Sequence, residues 1–394
     1  MEVIEEHKVG YKKTKLGWIP EDWKVVNLSN AVDFLDGKRK PIKESDRSKM
    51  QGHYPYYGAS GIIDYVNNYI FDDDLILLGE DGANILTRST RLAFKVSGKV
   101  WVNNHAHVLK PKKTFDIDFL NDFLESINYR KYNTSIAQPK LNKAECMKIP
   151  ILSPPIEEQI KIGEILSDWD EAIEKTQTLI EKLQLRKKGL MQQLLTGKTR
   201  LKGFSGNWKE DKLGNYFTER KETGHDNLQL LSVGRNGVYP QDTTQKKDTS
   251  NANKSKYKRI CIGDIGYNTM RMWQGRSALS EIEGIVSPAY TILKAKENTN
   301  PVFFSYLFKL EEMIHKFYRN SQGMVSDTWM CKFKDLKIIK FQAPSCREEQ
   351  TAIAEILVTA DKEIEQQQSY LEQLQAQKKG LMQQLLTGKI RVKA

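Results

Sequence analysis

The side chains best suited to chemistry in this sequence are basic, aromatic and amide groups crowded into turn-rich segments. They suit contact with a polyanion better than catalysis. In the first third they are Lys38, Arg39, Lys40, Arg47, Tyr56, Tyr57, Asn84, Arg88, Arg91, Asn103, Asn104, Lys131, Gln138 and Lys140. A second set comprises Arg235, Asn236, Lys254, Lys256, Asn268, Arg271, Trp273, Gln274, Arg276, Arg319, Gln322 and Lys332. Lysine and arginine neutralise phosphates. An arginine fork matches the edge of guanine, and an asparagine or glutamine amide matches adenine. For any one of these residues, ordinary exposed surface is an equal reading; it is the sets that point to nucleic acid. The Tyr54–Gly61 segment has an alternative as a rigid turn with its tyrosines packed inward.

The net charge of +11 also favours a polyanionic partner. Residues 207–342 hold 22 Lys plus Arg against 15 Asp plus Glu, so the second set lies in the more basic stretch. Acidic residues are interspersed throughout, which predicts folded basic surfaces rather than a basic tail.

Catalytic signatures are missing. Thr196-Gly197-Lys198-Thr199 imitates the end of a phosphate-binding loop, but Gln192 stands where that motif needs its first glycine. The segment also follows a helical pattern, so helix capping is the better reading. No N-P-P-[FYW] or D-P-P-Y tetrapeptide of an amino-methyltransferase is present. His105 and His107 alternate as on one strand face, without a third ligand at metal spacing. Asp72-Asp73-Asp74 reads as a solvated turn. The four scattered cysteines read as reduced thiols, and no apolar run is long enough to span a bilayer. A charged N-terminus without an apolar region adds to the expectation of a cytoplasmic protein that is not an enzyme.

What positions these residues is a repeat. Lys187–Lys198 recurs letter for letter as Lys378–Lys389, and the same offset carries Glu158-Gln159 onto Glu349-Gln350 and Arg200 onto Arg391. Trp23-Lys24 and Trp208-Lys209 open the two copies. Apolar residues at Ile162, Leu166, Trp169, Ile173, Ile180, Leu183, Leu190 and Leu194 keep a 4-3 spacing, with Thr176 and Lys187 filling the gaps. The second copy repeats it from Ile353 to Leu385. Such spacing predicts a long helix with a coiled-coil seam. About 40 residues at 1.5 Å each make a rod of roughly 60 Å.

The expected fold is mixed α/β: two globular domains joined by two long antiparallel helices in a coiled coil, a pseudo-two-fold internal repeat. The expected boundaries are an N-terminal segment 1–20, head 1 at 21–150, helix 1 at 154–199, head 2 at 205–343 and helix 2 at 346–391. Glycine inside a helix costs about 1 kcal/mol against alanine. Gly189 and Gly380 are therefore read as permitting close approach, between the rods or by a partner, with a break of the helix there as the alternative. Leu190, Leu194, Leu381 and Leu385 complete the expected docking surface.

The sequence strongly resembles the specificity subunit of Type I restriction–modification enzymes. The likeness rests on the opening Gly17–Leu28, on Pro55–Gly61 with Ile76–Asn84, on Gln138–Asn142 with Ile149-Pro150, on Pro154–Gln159 and on the duplicated helix end. It implies two target-recognition domains, each reading half of a split site on double-stranded DNA. It further implies helices that dock two modification subunits, with restriction subunits joining them. S-adenosylmethionine, ATP and Mg belong to those partners, and this chain carries no cofactor. Head 2 departs from the pattern at Gly263–Asn268 and at Pro344–Gln350, which weakens transfer of individual residues there. Alternatives are a DNA reader serving another restriction or methylation effector, and a coiled-coil scaffold that binds no DNA.

Overall fold

The computed structural model describes residues 9–135, 138–234, 237–241, 253–324, 328–344 and 346–393. The candidates Arg235 and Asn236 lie outside the described residues. The chain forms two compact units that do not follow the linear repeat: residues through Gln177 together with those from Ser369 onward, and Thr178–Gln368.

The 4-3 apolar spacing produces two helices, Ile156–Leu194 and Arg347–Leu385. Each is 39 residues long. Each unit receives the start of one helix and the end of the other, and there the two run antiparallel. In the first unit Ile162 and Leu166 share a core with Leu385 and Leu386. In the second, Ile353 and Leu357 share one with Leu194 and Leu195. The two gaps in the pattern hold polar side chains with partners: Thr176 Oγ1 donates to the Ala172 carbonyl, and Lys187 pairs with Asp361.

In the first unit the strands Val32–Phe34, Ala106–Pro111, Leu75–Gly79 and Ala93–Val96 lie side by side in that order. Leu75–Gly79 is wholly buried. A second sheet joins Gln51–Gly58 to Gly61–Val66 in a hairpin, with Lys99–Val102 running parallel on its other side. Strand Lys24–Asn27 pairs with Pro150–Ser153, returning the chain to the helix start. The Tyr54–Gly61 segment is therefore strand and hairpin, not a free turn.

The second unit repeats the order. Phe217–Arg220, Tyr290–Ala295, Ile265–Asn268 and Ser277–Leu279 form the matching sheet, and Lys209–Lys212 pairs with Lys340–Ala343. Two short helices follow that sheet, Pro301–Leu307 and Glu311–Arg319. Leu310 is extended between them, and the Lys309 ammonium donates to the Gly275 carbonyl, which fixes the break.

Shared residues act alike in the two units despite sparse identity in the heads. Gln159 accepts from the Asp116 amide at 3.0 Å and Gln350 from the Asn300 amide at 2.8 Å. Asp116 and Asn300 each cap the helix that follows. Glu158 receives Trp23 Nε1 and Arg391, and Glu349 receives Trp208 Nε1 and Arg200. Gly197 and Gly388 end the repeated helices at φ of 70° and 67°, packed on Trp208 and on Pro20 and Trp23 respectively. The imitation phosphate loop is thus a left-handed helix stop.

Candidate nucleic-acid interface

In the first head, four loops converge at one end of the buried sheet. Arg39 NH1 donates to the carbonyls of Asn104 at 3.3 Å and Ala106 at 2.8 Å, tying the 36–40 loop to the 103–106 loop. The Glu80 amide donates to the His105 carbonyl at 2.8 Å, and Leu141 donates to the Glu80 carbonyl at 2.7 Å. Gly82 donates to the Pro139 carbonyl at 3.0 Å. This gathers Lys38, Arg39, Lys40, Asn104, Gln138 and Lys140, with Tyr57 alongside through its carbonyl bond from the Asn103 amide. Lys38, Lys40, Asn104 and Gln138 are exposed.

Several candidates in this head are buried or already hold partners within the protein. Tyr56 is 1% exposed, and its hydroxyl accepts from the Ile42 amide at 3.0 Å. It is a core residue, because strand alternation turns it inward. Tyr57 is half-buried against Phe94. Arg39 is spent in ion pairs with Glu80 and Asp36. Asn84 closes its own loop, bonding Thr90 through both ends of its amide. Arg88 stands at a left-handed φ of 52° and bonds Glu125, while Arg91 bonds Asp170 on the first long helix. Arg91 thus joins head to long helix, whereas Arg88 holds its loop to the head's own helix Ile117–Ser126. His105 and His107 do not share a face: His105 is exposed beside Asp81, and His107 is buried with both ring nitrogens occupied. Asp73 is paired with Lys110.

The second head gathers an equivalent set on equivalent loops. Cys331 donates to the Thr269 carbonyl at 2.9 Å, the counterpart of the Leu141–Glu80 bond. Around it stand Asn268, Arg271, Trp273, Gln274, Arg276, Arg319, Gln322 and Lys332. Trp273 meets Trp329 at 5.5 Å between ring centroids, and Trp329 meets Tyr318 at 5.0 Å. Arg276, Arg319, Gln322 and Lys332 are exposed. Lys254 is on a different loop, over the ring of Tyr257. Exposed cations, amides and aromatic rings on converging loops present donors to phosphates and base edges.

The docking residues divide. Leu194 and Leu385 are each 4% exposed and belong to the cores of their own units, with Leu190 and Leu381 packed against them. The seam consumes them because it packs helix on helix and helix on head. Gly189 and Gly380 lie in unbroken helix, and a Cβ at either meets nothing within 4 Å. They admit no close approach between the rods. Close approach occurs instead at Gly163, where a Cβ would lie 2.7 Å from Asp116 Oδ1. Its helical position beside Gln159 was the only hint the sequence offered.

The arrangement is that of a two-headed recognition protein: duplicated folds, shared framework contacts and divergent loop chemistry. Sequence comparison agrees. The pattern of the Type I restriction modification DNA specificity domain matches residues 20–185 and again 210–375. The MjaVIII specificity subunit of Methanocaldococcus jannaschii is 27% identical over 95% of this chain and 94% of its own length. The specificity subunit S.HindORF215P of Haemophilus influenzae is 36% identical, over 37% of this chain and only 36% of its own length. The fold matches that of the Mycoplasma genitalium Type I S subunit, with TM-score 0.60 and 15% identity over 92% of this chain and 96% of that one. The chain belongs to the Type I restriction–modification DNA specificity family. It is a specificity subunit with two target-recognition domains, a DNA-recognition component and not a catalytic one. No described helix is long and apolar enough to cross a membrane.

Proposed function

We propose that each head reads one half of a bipartite site on double-stranded DNA, through the loops converging around Glu80 in the first head and Thr269 in the second. The observation that carries this is the combination of one framework, kept residue for residue at Glu158/Glu349, Gln159/Gln350 and Arg391/Arg200, with two different sets of loop side chains. A shared framework fixes where the loops stand, and the differing loops fix which bases they accept.

In this reading the length of helix between the heads sets the unread spacer, one helical turn of DNA being about 34 Å. The exposed faces around Gly189 and Gly380 dock two modification subunits, which restriction subunits then join in the cytoplasm. S-adenosylmethionine, ATP and Mg serve those partners, and this chain supplies address rather than chemistry. The test is methylome sequencing of a host expressing the chain with its modification subunit. The expected result is a single bipartite methylated motif. Exchange of residues 205–343 for another head changes one half of it. Methylation without a split motif, or a change in both halves on exchange, refutes the reading.

A further inference from the structure

The first head contains a buried charge cluster that recognition has not used. His107 is 1% exposed. Its Nε2 donates to the Leu141 carbonyl at 2.8 Å and its Nδ1 donates to Asp36 Oδ2 at 2.8 Å. A carbonyl and a carboxylate are both acceptors, so both ring nitrogens carry protons and the imidazole is a cation. Asp36 Oδ1 accepts from the Val108 amide at 2.9 Å. Glu80 Oε2 lies 3.7 Å from His107 Nδ1 and 2.6 Å from Arg39, and Glu80 Oε1 lies 3.3 Å from Lys140. The side chains of Asp36, Glu80 and Arg39 are only 8%, 13% and 14% exposed.

His107 stands on the strand Ala106–Pro111 just after the 103–106 loop, and the other four come from the loops 36–40, 79–84 and 138–142 that converge there at the candidate interface. A charge-assisted hydrogen bond is shorter and about twice as strong as a neutral one, and a fully satisfied network fixes one geometry. Removal of one member leaves the others buried and unpaired, which is costly. The cluster therefore holds the loops in one mutual arrangement.

The second head provides the contrast. By strand register, Thr291 opposite Tyr267 stands where His107 stands opposite Leu78. Thr269 and Met330 take the places of Glu80 and Lys140. The space is a cleft of about 440 Å³ lined by these three residues, by Met270 and Phe333, and at its sides by Glu219, Lys258, Lys332 and Lys334, with no buried histidine–carboxylate pair across it among the described residues. The same framework thus has a charged latch in one head and an open cleft in the other.

We propose that His107 is a positioning residue for sequence recognition by the first head, acting through Asp36 and Glu80 to lock the four reading loops, and that the second head reads its half-site without such a lock. This rests on the proposal that these loops read DNA. Burial alone would drive the His107 proton off, but the Asp36 carboxylate and the Cys146 sulfur beside the ring together outweigh it and hold the imidazolium up to about 10.

The experiment is methylome sequencing of the full chain expressed with its modification subunit, as wild type, His107→Gln and Asp36→Asn. Phe119→Leu serves as a control that loosens the same head's core away from the loops. His107→Gln and Asp36→Asn are expected to raise methylation at mismatches in one half-site about tenfold, as for the loss of one good base contact. The other half-site stays as strict as in wild type, and Phe119→Leu relaxes neither. If His107→Gln does not fold, Asp36→Asn, which keeps shape and loses charge, decides alone. Unchanged strictness in a folded variant overturns the proposal, as does equal relaxation by Phe119→Leu or at both half-sites. A wild type without a split motif is a separate failure, that of DNA reading by these loops.

Discussion

Arg391 is the point at which the end of the second helix is fastened to the first head. Its Nε and NH2 donate to Glu158 at 2.8 and 2.9 Å, and NH1 and NH2 donate to Asp22 at 2.9 and 2.7 Å. Glu158 is 3% exposed and also receives Trp23 Nε1 at 2.9 Å and the Val392 amide at 3.3 Å. Replacement by leucine removes the cation and leaves a buried carboxylate with two weaker donors. Hydrogen bonds to charged groups contribute about 1.5–3 kcal/mol each. The Arg391 side chain is 40% exposed, so solvent screens the pair, and its contacts with Asp22 count for little. The net loss from Arg391→Leu is then about 2 kcal/mol, most of it on the Glu158 side. At ~2–4 °C per kcal/mol for a unit of this size, its midpoint falls about 4–8 °C in scanning calorimetry. Arg200→Leu should do the same to the second unit, where the Glu349 side chain is 4% exposed. A shift below about 1 °C in either variant would show that the clasp is ornamental and that the apolar seam alone holds the helix ends.

The latch gives the first head a pH dependence. The folded His107 pKa is raised to about 10 from 6.5, so its stabilisation is complete below pH ~6.5 and is lost as pH rises towards 10. The groups facing it are Asp36, Glu80 and Cys146, with Arg39 paired to the two carboxylates. Urea melts should lose at most about 1.4 kcal/mol per pH unit across that window, and His107→Gln should flatten the slope. Glycine substitutions should have opposite signs. Gly189→Ala meets open space and should stabilise by up to about 1 kcal/mol. Gly163→Ala would press on Asp116 Oδ1, break the cap of Ile117–Ser126 and destabilise by about 1 kcal/mol or more. Thermal melts of the two single variants decide this. Gly189→Leu should weaken capture of the modification subunit in a pull-down, and unchanged capture would remove that face from the docking surface. Insertion of one helical turn near Thr176 should change the spacer and leave both half-sites as they were, as read from the methylated motif.

Periodicity and repetition are local properties, and they made the two helices, the doubling and the divergence of the heads legible in the sequence. Leucines every three or four residues form a helix with an apolar seam wherever they fall, and the offset between copies needs no coordinates. The family resemblance came from ordered motifs in the same way. Which loop residues are exposed was not legible, because it depends on partners far away in the chain. Arg39 looks like a phosphate ligand until Glu80 is placed beside it, and Tyr56 looks exposed until its strand is paired with Lys99–Val102. His107 looked like half of a polar strand face, and only the arrival of Asp36 and the Leu141 carbonyl from distant segments made it a buried cation. The duplicated tail is the clearest case. By sequence, Lys378–Arg391 belongs to the second copy. The tertiary structure gives it to the first unit, because an antiparallel seam brings the end of one helix to the start of the other, where Glu158 needs its arginine.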